Sequence, residues 1–444
     1  MATTPDRKKV FAWTLWDAGN ASFNAIMTTF IFTALYLTSS TFGSETHTTA
    51  VMSTGLTIAG LFIALLAPIS GQRADATGKR GFWLGANTFA TAALMALCFF
   101  VLPDPSFLWF GVALIALANI VNEFSIVNYN ALLPGISTPA SVGKISGLGW
   151  AFGYFGGIVA LVIVMVLFIN PGVLPLPEDD PSLTYRLIAV FSALWCVALS
   201  LPLLLSLRGQ QQPVQATATE SGGVAGIVRA YKQLFATIAR IYRSTPSTLY
   251  FLVTSAIFRD GLNGVFTFGG ILAAGSFGFS AGEIIVFAIA GNIVAGVGAL
   301  IGGLLDDRLG PKTVIMASLV GVLVAATPLL FIEGKNIFWL CGLALCAFVG
   351  PAQSAARTYL ARVSPAGEEG ELFGLYSTTG RAASFLAPAL FGFFVTLMGA
   401  QTWGILGIMV VVGVGLLLVI PLKPAPKLHT SQQLGAENTI VESH

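Results

Sequence analysis

The sequence predicts an all-helical integral membrane protein with twelve transmembrane helices in two pseudo-symmetric halves of six. Hydrophobic residues form 55% of the 444-residue chain and charged residues only 9%, whereas a soluble domain carries roughly 25% charged residues. Twelve apolar stretches are long enough to cross a bilayer, which takes about 20 residues. A polar phrase also occurs twice, as GQRADATGKR at 71–80 and GLLDDRLGPK at 303–312. A repeat this far apart indicates two related membrane halves.

We number the apolar stretches as spans 1 to 12 in chain order. Gly and Pro are frequent within them, which membrane helices tolerate where neighbouring helices satisfy the backbone. The predicted spans are 10–38, 51–71, 82–102, 107–132, 146–169, 185–206, 248–274, 282–304, 313–332, 336–360, 371–398 and 402–421.

The basic residues predict the orientation in the membrane. Most of the 22 Lys and Arg residues, Arg357 and Arg362 among them, lie in the termini or loops of one side, and only Arg186 and Lys335 fall on the other. Because cytoplasmic loops are rich in Lys and Arg, both termini are expected in the cytoplasm and the protein in the plasma (inner) membrane. We call the side with both termini and the doubled phrase the loop face, and the opposite side the far face.

The segment 208–247 separates the halves. Residues 209–223 are rich in Gln, Thr, Ser and Gly, which is typical of a flexible linker. Apolar residues then recur at helical spacing from Ile227 to Ile241, which predicts an amphipathic helix on the cytoplasmic membrane surface. A helix packed under the bundle fits the same pattern. The predicted parts are an N-terminal half at 1–207, the linker at 208–247, a C-terminal half at 248–422 and a cytoplasmic tail at 423–444.

The halves correspond beyond the doubled phrase. DAGN at 17–20 in span 1 matches DGLN at 260–263 in span 7. Aligning the prolines that follow spans 4 and 10 sets Asn122 against Gln353, and the glycines of spans 5 and 11 set Tyr154 against Arg381. Sites in carriers built from such repeats lie near the bilayer midplane between the repeats.

Charged side chains within the spans indicate a binding site. A charge in hydrocarbon costs a few kcal/mol even on the forgiving insertion scales, so it needs a partner or a water-filled cavity. Polar faces on spans 1, 4 and 7 are expected to converge on one cavity, joined by span 11. The alternative is interhelical hydrogen bonding worth about 0.6 kcal/mol per group. The candidate substrate- or proton-binding residues are Asp17, Asn20, Asn24, Asn122, Glu123, Trp150, Tyr154, Arg259, Asp260, Asn263, Gln353, Tyr376 and Arg381.

This set contains three carboxylates and two guanidiniums, so one carboxylate lacks a fixed partner. An unpaired carboxylate in apolar surroundings can exchange a proton near neutral pH, which predicts proton coupling through Glu123 or Asp17. An amino acid would place its carboxylate on Arg381 or Arg259 and its ammonium on Asp17, Glu123 or Asp260.

The doubled phrase predicts a gate. Its first glycines let helices approach closely, and its aspartates can cap a neighbouring helix or pair with a basic residue. We expect the two copies to latch the cytoplasmic face shut in one state, while a simple tight loop is the alternative. The candidate gate residues are Gly71, Asp75, Gly78, Arg80, Gly303, Asp307, Arg308 and Gly310.

The sequence argues against an enzyme. The three His residues lie in loops or the tail, and the four Cys lie in apolar segments without metal-ligand spacing, so no metal site, disulfide or cofactor is expected. Phosphate-loop and dinucleotide-binding motifs are lacking, and the net charge of +2 does not suggest nucleic acid. The expected partners of a monomeric protein are the lipid bilayer, a small-molecule solute and protons.

A resemblance to a known family rests on stretches between residues 13 and 388. They include WTLWDAGNASF at 13–23, GKISGLGWAFGY at 143–154 and FGLYSTTGRAASFLAP at 373–388. With the doubled phrase, they resemble the major facilitator superfamily and, more narrowly, its vacuolar amino-acid effluxer-like branch. Ala76 and Pro311 depart from the superfamily's usual loop, which has basic residues there. The resemblance implies a twelve-helix secondary carrier, and its eukaryotic members are similar to exporters of amino acids from the vacuole.

The leading prediction is a proton-linked secondary transporter of small polar or zwitterionic solutes, amino acids first. A sugar or drug transporter of the same fold is the main alternative, because the Asn and Gln cluster with flanking aromatics would serve a sugar without paired charges. A non-transporting membrane sensor ranks below both, because the tail is short for a soluble output domain.

Overall fold

The structure is a computed structural model that describes residues 5–138, 140–169, 180–208, 224–365 and 368–425. The described elements are all helical, and helices occupy all twelve predicted spans. Ten of the described helices are long and apolar enough to cross a membrane. Spans 1 and 7 are not among the ten, because span 1 is broken into three segments and span 7 contains Arg259 and Asp260.

The N-terminal half contains spans 1 to 6. Span 1 begins as an α-helix and continues in two π-helical segments. The bounds are Arg7–Ser22, Phe23–Phe30 and Phe32–Leu37 for span 1, then Glu45–Thr77, Arg80–Leu97, Leu108–Ala131, Val142–Val164 with Met165–Ile169, and Pro181–Ser206.

The C-terminal half follows the linker helix Val224–Ser244. Span 11 consists of two helices, where the sequence predicted one. The bounds of spans 7 to 12 are Pro246–Gly275, Ala281–Leu309, Pro311–Ala326, Lys335–Val363, Glu369–Ala383 with Leu386–Met398, and Gly404–Val419.

The buried apolar residues show how the halves meet. One cluster contains N-terminal residues near the far face, such as Phe23, Ile115 and Ile188. The other joins Trp13 and Leu133 of the N-terminal half to much of the C-terminal half. The halves therefore share a continuous core at the loop face, while the N-terminal half has a separate core towards the far face.

The linker helix packs against the bundle, which is the second of the two arrangements that its sequence allowed. The Tyr231 hydroxyl donates to the Leu65 carbonyl on span 2 (2.9 Å). Arg240 pairs with Glu368, just before span 11 (2.7 Å). The side chains of Phe235 and Tyr242 are exposed, so one face of this helix contacts the protein and another presents aromatic rings.

Candidate functional site

A cavity of about 550 Å³ lies between the two halves. This volume falls within the range of roughly 300–1,000 Å³ that is usual for small-molecule sites. Spans 1 and 5 line one side, and spans 7, 8, 9, 10 and 12 line the other. The lining runs from Asp17 and Gly153 in mid-membrane to Thr29 and Ile284 towards the far face.

Five of the predicted site residues line this cavity: Asp17, Asn20, Asn24, Trp150 and Tyr154. The first π-helical segment of span 1, Phe23–Phe30, contributes Asn24 and Thr29 to the lining, since irregular backbone at membrane depth is tolerated where it lines a cavity. The rings of Trp150 and Tyr154 are 5.9 Å apart, and the Tyr154 ring is 6.4 Å from Phe266 of the other half. An aromatic wall therefore crosses from one half to the other.

Asp17 is the charged side chain of the cavity, and no other lining residue among those described carries a charge. Its Oδ2 accepts a hydrogen bond from the Tyr129 hydroxyl (3.2 Å) and lies 3.8 Å from Nη1 of Arg357. Within the described chain, Oδ1 of Asp17 accepts no hydrogen bond. One carboxylate oxygen is thus left for a ligand or a proton.

Arg357 lies within the membrane domain, which corrects its count among the loop residues and agrees with the predicted bounds of span 10, 336–360. The helix of span 10 runs from Lys335 to Val363, and Arg357 is 4% exposed. Its guanidinium donates to the Ser146 hydroxyl (3.0 Å), to the Ser146 carbonyl (2.5 Å) and to Oδ1 of Asn130 (3.2 Å). A residue of the C-terminal half is thereby bound to spans 4 and 5 of the other half, below Asp17.

Glu123 and Arg381 pair with each other across the halves. Oε2 of Glu123 is 3.1 Å from Nη2 of Arg381, and the Ser377 hydroxyl donates to Oε1 (2.6 Å). Neither residue lines the cavity. The carboxylate on span 4 is therefore paired, and the carboxylate that faces the cavity is that of Asp17.

The polar residues of span 7 bind other helices. Arg259 lies over the ring of Tyr376 (3.7 Å to the ring centre) and donates to the Tyr376 carbonyl (3.3 Å). Oδ1 of Asn263 accepts from Gln353 (3.2 Å). Oδ2 of Asp260 accepts from the backbone N–H of Ala387 (2.6 Å), at the start of the second helix of span 11. There it satisfies a backbone donor that a helix beginning leaves unpaired.

Of the polar faces expected to converge on one cavity, the structure places that of span 1 in the cavity lining and those of spans 4, 7 and 11 outside it. The face of span 1 opens onto the cavity, whereas the other predicted residues bond to neighbouring helices or lie buried beside them. The predicted site residues outside the cavity lining are Asn122, Glu123, Arg259, Asp260, Asn263, Gln353, Tyr376 and Arg381.

The first copy of the doubled phrase joins the halves at the loop face. Asp75 accepts the backbone N–H of Glu371 at the start of span 11 (2.9 Å) and pairs with Arg80. Arg80 also contacts Glu369 (3.0 Å). A Cβ on Gly71 would lie 1.9 Å from the carbonyl oxygen of Gly370, so this approach requires glycine. The turn after Asp75 uses Gly78 with φ +62°.

The second copy makes the matching contact on the other side of the molecule. Asp307 accepts the backbone N–H groups of Gly143 (2.7 Å) and Lys144 (2.8 Å) at the start of span 5. A Cβ on Gly303 would lie 2.4 Å from the Gly143 carbonyl oxygen, and Gly310 has φ +84°. Each aspartate thus caps a helix of the opposite half, where it meets the positive end of the helix dipole.

The basic partner differs between the two copies. Arg308 is exposed, and Asp307 instead lies 3.6 Å from the guanidinium of Arg362, which also binds Asp306 (2.9 Å). Arg362 belongs to span 10. In the N-terminal half the equivalent positive charge is that of Arg80, the first residue of the helix of span 3. Arg80 pairs with Asp75 and donates to the Ala131 carbonyl on span 4 (2.8 Å).

Sequence reasoning missed Arg357, Arg362 and Asp306 as structural charges. The signal was present for the two arginines, because the segment from 352 to 363 contains neither Gly nor Pro and nothing in it ends the helix. The predicted apolar stretch ends at residue 360, whereas the helix continues to Val363.

A twelve-span bundle in two halves, with a central cavity and repeated capping contacts between the halves at the loop face, defines a membrane transporter of the major facilitator fold. A family profile described as "Vacuole effluxer Atg22 like" matches residues 37–427. The chain belongs to that family.

Relatives agree with this assignment. The chain is 22% identical over 436 residues to an uncharacterized MFS-type transporter, YxiO, of Bacillus subtilis (strain 168). The alignment covers 96% of this chain and 97% of the relative. It is 25% identical over 314 residues to autophagy-related protein 22 of Yarrowia lipolytica, covering 64% of this chain and 51% of that protein. The chain therefore spans about half the length of this fungal relative.

Solved structures show the same fold. FucP in the outward conformation aligns with a TM-score of 0.69 and 15% identity, covering 93% of this chain and 97% of that one. The proton:xylose symporter XylE, bound to 6-bromo-6-deoxy-D-glucose, aligns with a TM-score of 0.71 and 12% identity over 97% and 98% of the two chains. At these identities the likeness concerns the fold alone.

Proposed function

We propose that this protein is a secondary transporter that moves a small amine-bearing solute by alternating access, with amino acids as the first class. The observation that carries the proposal is the place of Asp17. Asp17 lines the cavity, and its Oδ2 lies beside Arg357, which binds Ser146 of the other half. A solute at Asp17 is thus next to the contacts that must break when the loop face opens.

An amino acid fits this cavity through its ammonium group on Asp17. Arg381 and Arg259, the carboxylate partners predicted from the sequence, are engaged with Glu123 and Tyr376. The carboxylate would instead meet the amides of Asn20 and Asn24, which line the cavity. The family description, which names effluxers, supports a transported metabolite.

Transport by purified protein in liposomes tests the solute class. We expect counterflow with an amino-acid mixture and little with a sugar mixture. The same amides and aromatic rings suit a sugar, and the structural neighbours FucP and XylE include a xylose symporter. Counterflow with sugars alone would therefore replace the amine proposal with the sugar alternative.

Proton coupling is proposed at Asp17. A carboxylate that has taken up a proton no longer attracts an ammonium group, so one site shared by both gives exchange of solute for protons. Asp17→Asn is expected to abolish transport driven by a proton gradient. Glu123→Gln, which alters the paired carboxylate, separates the two predicted proton sites. Full dependence on the gradient in both variants would exclude coupling through either residue.

We also propose that the loop face is cytoplasmic, because it carries most of the basic residues, that the protein lies in the plasma (inner) membrane, and that a monomer is the working unit. Reporter fusions after residue 425 test the orientation, since they should be active only with a cytoplasmic reporter. Light scattering of the detergent-solubilised protein tests the monomer.

A further inference from the structure

We propose that, among amine-bearing solutes, the cavity binds cationic amines with an apolar body more tightly than amino acids of the same size. This inference rests on the proposed function, because it specifies the substrate class of the same cavity. It departs from the expectation that a guanidinium would hold a substrate carboxylate.

The charge of the cavity lining favours a cation. Among the described residues that line the cavity, Asp17 is the one that carries a charge. Arg357 reaches only Oδ2 of Asp17, at 3.8 Å, and makes closer contacts with Ser146. A solute carboxylate would therefore meet a like charge and would have neutral amides such as those of Asn20 and Asn24 as its partners, whereas an ammonium meets a carboxylate in largely apolar surroundings.

The lining also holds hydrogen-bond acceptors that can bind an ammonium group. Asn292 uses one of its two amide N–H groups on the Ala288 carbonyl (2.8 Å), and its Oδ1 accepts no hydrogen bond within the described chain. The Thr267 hydroxyl donates to the Asn263 carbonyl (3.0 Å), so its oxygen remains an acceptor. With Oδ1 of Asp17, the cavity offers several acceptors from both halves. An ammonium group carries three donors and no acceptor, so it satisfies such a site without leaving its own groups unpaired.

The rest of the lining accommodates an apolar body. Aromatic and aliphatic side chains dominate the side formed by the C-terminal half, with Phe266, Phe287, Leu345 and Ile408 among them. Tyr154 faces Phe266 across the halves. Aromatic faces attract cations as well as apolar groups. A molecule with an ammonium at one end and a ring at the other therefore matches both ends of the cavity.

Three probes with one apolar body test the preference: phenethylamine, phenylalanine and 3-phenylpropanoate. At neutral pH they present a cation, a zwitterion and an anion. Competition against a radiolabelled amine, measured on purified full-length protein, ranks their affinities. We expect phenethylamine to bind about tenfold more tightly than phenylalanine, with 3-phenylpropanoate weakest.

Asp17→Asn is expected to remove this ranking by weakening phenethylamine about tenfold or more. Glu283→Gln is the matched control, because it removes a carboxylate that pairs with Lys335 at the far-face end of span 8 (2.8 Å). It should keep the wild-type ranking. Equal or tighter binding of phenylalanine in the wild type would overturn the inference and leave the proposed function standing. If sugars bind and none of the three probes does, the proposed function itself fails.

Discussion

Asp17 and Asp260 occupy matching positions in the two halves but have different roles. Asp17 opens onto the cavity, whereas Asp260 is 6% exposed and accepts the N–H of Ala387. The difference arises in span 11, whose break between Ala383 and Leu386 creates an unpaired helix start beside span 7. Span 5, the counterpart of span 11, runs unbroken past Asp17. A single helix break thus turns one of two related carboxylates into a structural cap.

Asp260→Ala should lower thermal stability, because the buried N–H of Ala387 loses its acceptor. Loss of a helix cap costs about 1 kcal/mol. Asp260→Asn is the matched control, since its amide oxygen still accepts a hydrogen bond. Thermal unfolding in detergent should show a lower Tm for the alanine variant only. Equal losses in both variants would mean that the charge of Asp260, rather than its capping, is what matters.

At the scale of elements, the closed loop face depends on helix pairs that cross without side chains between them. Spans 2 and 11 meet at Gly71 and Gly370, and spans 5 and 8 meet at Gly143 and Gly303. The doubled phrase made these contacts predictable, because both the glycine and the aspartate recur at the same spacing. What the phrase did not reveal is that the second gate takes its positive charge from span 10, at Arg362.

Gly71→Ala should weaken closure of the loop face. Its Cβ would lie 1.9 Å from the Gly370 carbonyl oxygen, and overpacking of this kind costs about 1–3 kcal/mol. We expect slower transport and faster labelling of a cysteine placed at Ile145, which is buried beside the gate. Gly60→Ala lies on the same helix with open space around it and should behave as wild type. A Gly71→Ala variant with normal kinetics and labelling would exclude a close-contact requirement.

Arg357→Gln should also favour opening of the loop face, because it removes a different contact between the halves. The guanidinium binds Ser146 and Asn130 across the halves, and hydrogen bonds to charged groups contribute about 1.5–3 kcal/mol each. The Ile145→Cys reporter should therefore react faster in this background. Lys335→Gln removes a positive charge from an exposed pair within one half and serves as the control. Unchanged labelling in Arg357→Gln would show that the contacts of Arg357 do not help to keep the loop face closed.

At the scale of the whole molecule, the sequence predicts architecture better than it predicts the site. Span number, the two halves and the close contacts of the doubled phrase follow from apolar length and an internal repeat, which local sequence records directly. The binding site depends on which face of each helix turns towards the centre, and neighbouring helices decide that. Asp17 was identified because its polar face extends to Asn24, whereas Asn263 and Gln353 were misplaced because they bond to each other between spans 7 and 10.

The halves are expected to move as units, and a pair of engineered disulfides tests this. Cysteines replacing Lys144 and Asp307 lie where the backbone N–H of one residue contacts the side chain of the other (2.8 Å), across the two halves. Their oxidation should hold the loop face shut and stop transport, and reduction should restore it. Cysteines replacing Gly264 and Ala387, whose Cβ atoms would lie 3.1 Å apart within the C-terminal half, should cross-link without stopping transport. If the first cross-link leaves transport intact, the loop face does not have to open, and solute must move through the cavity by another route.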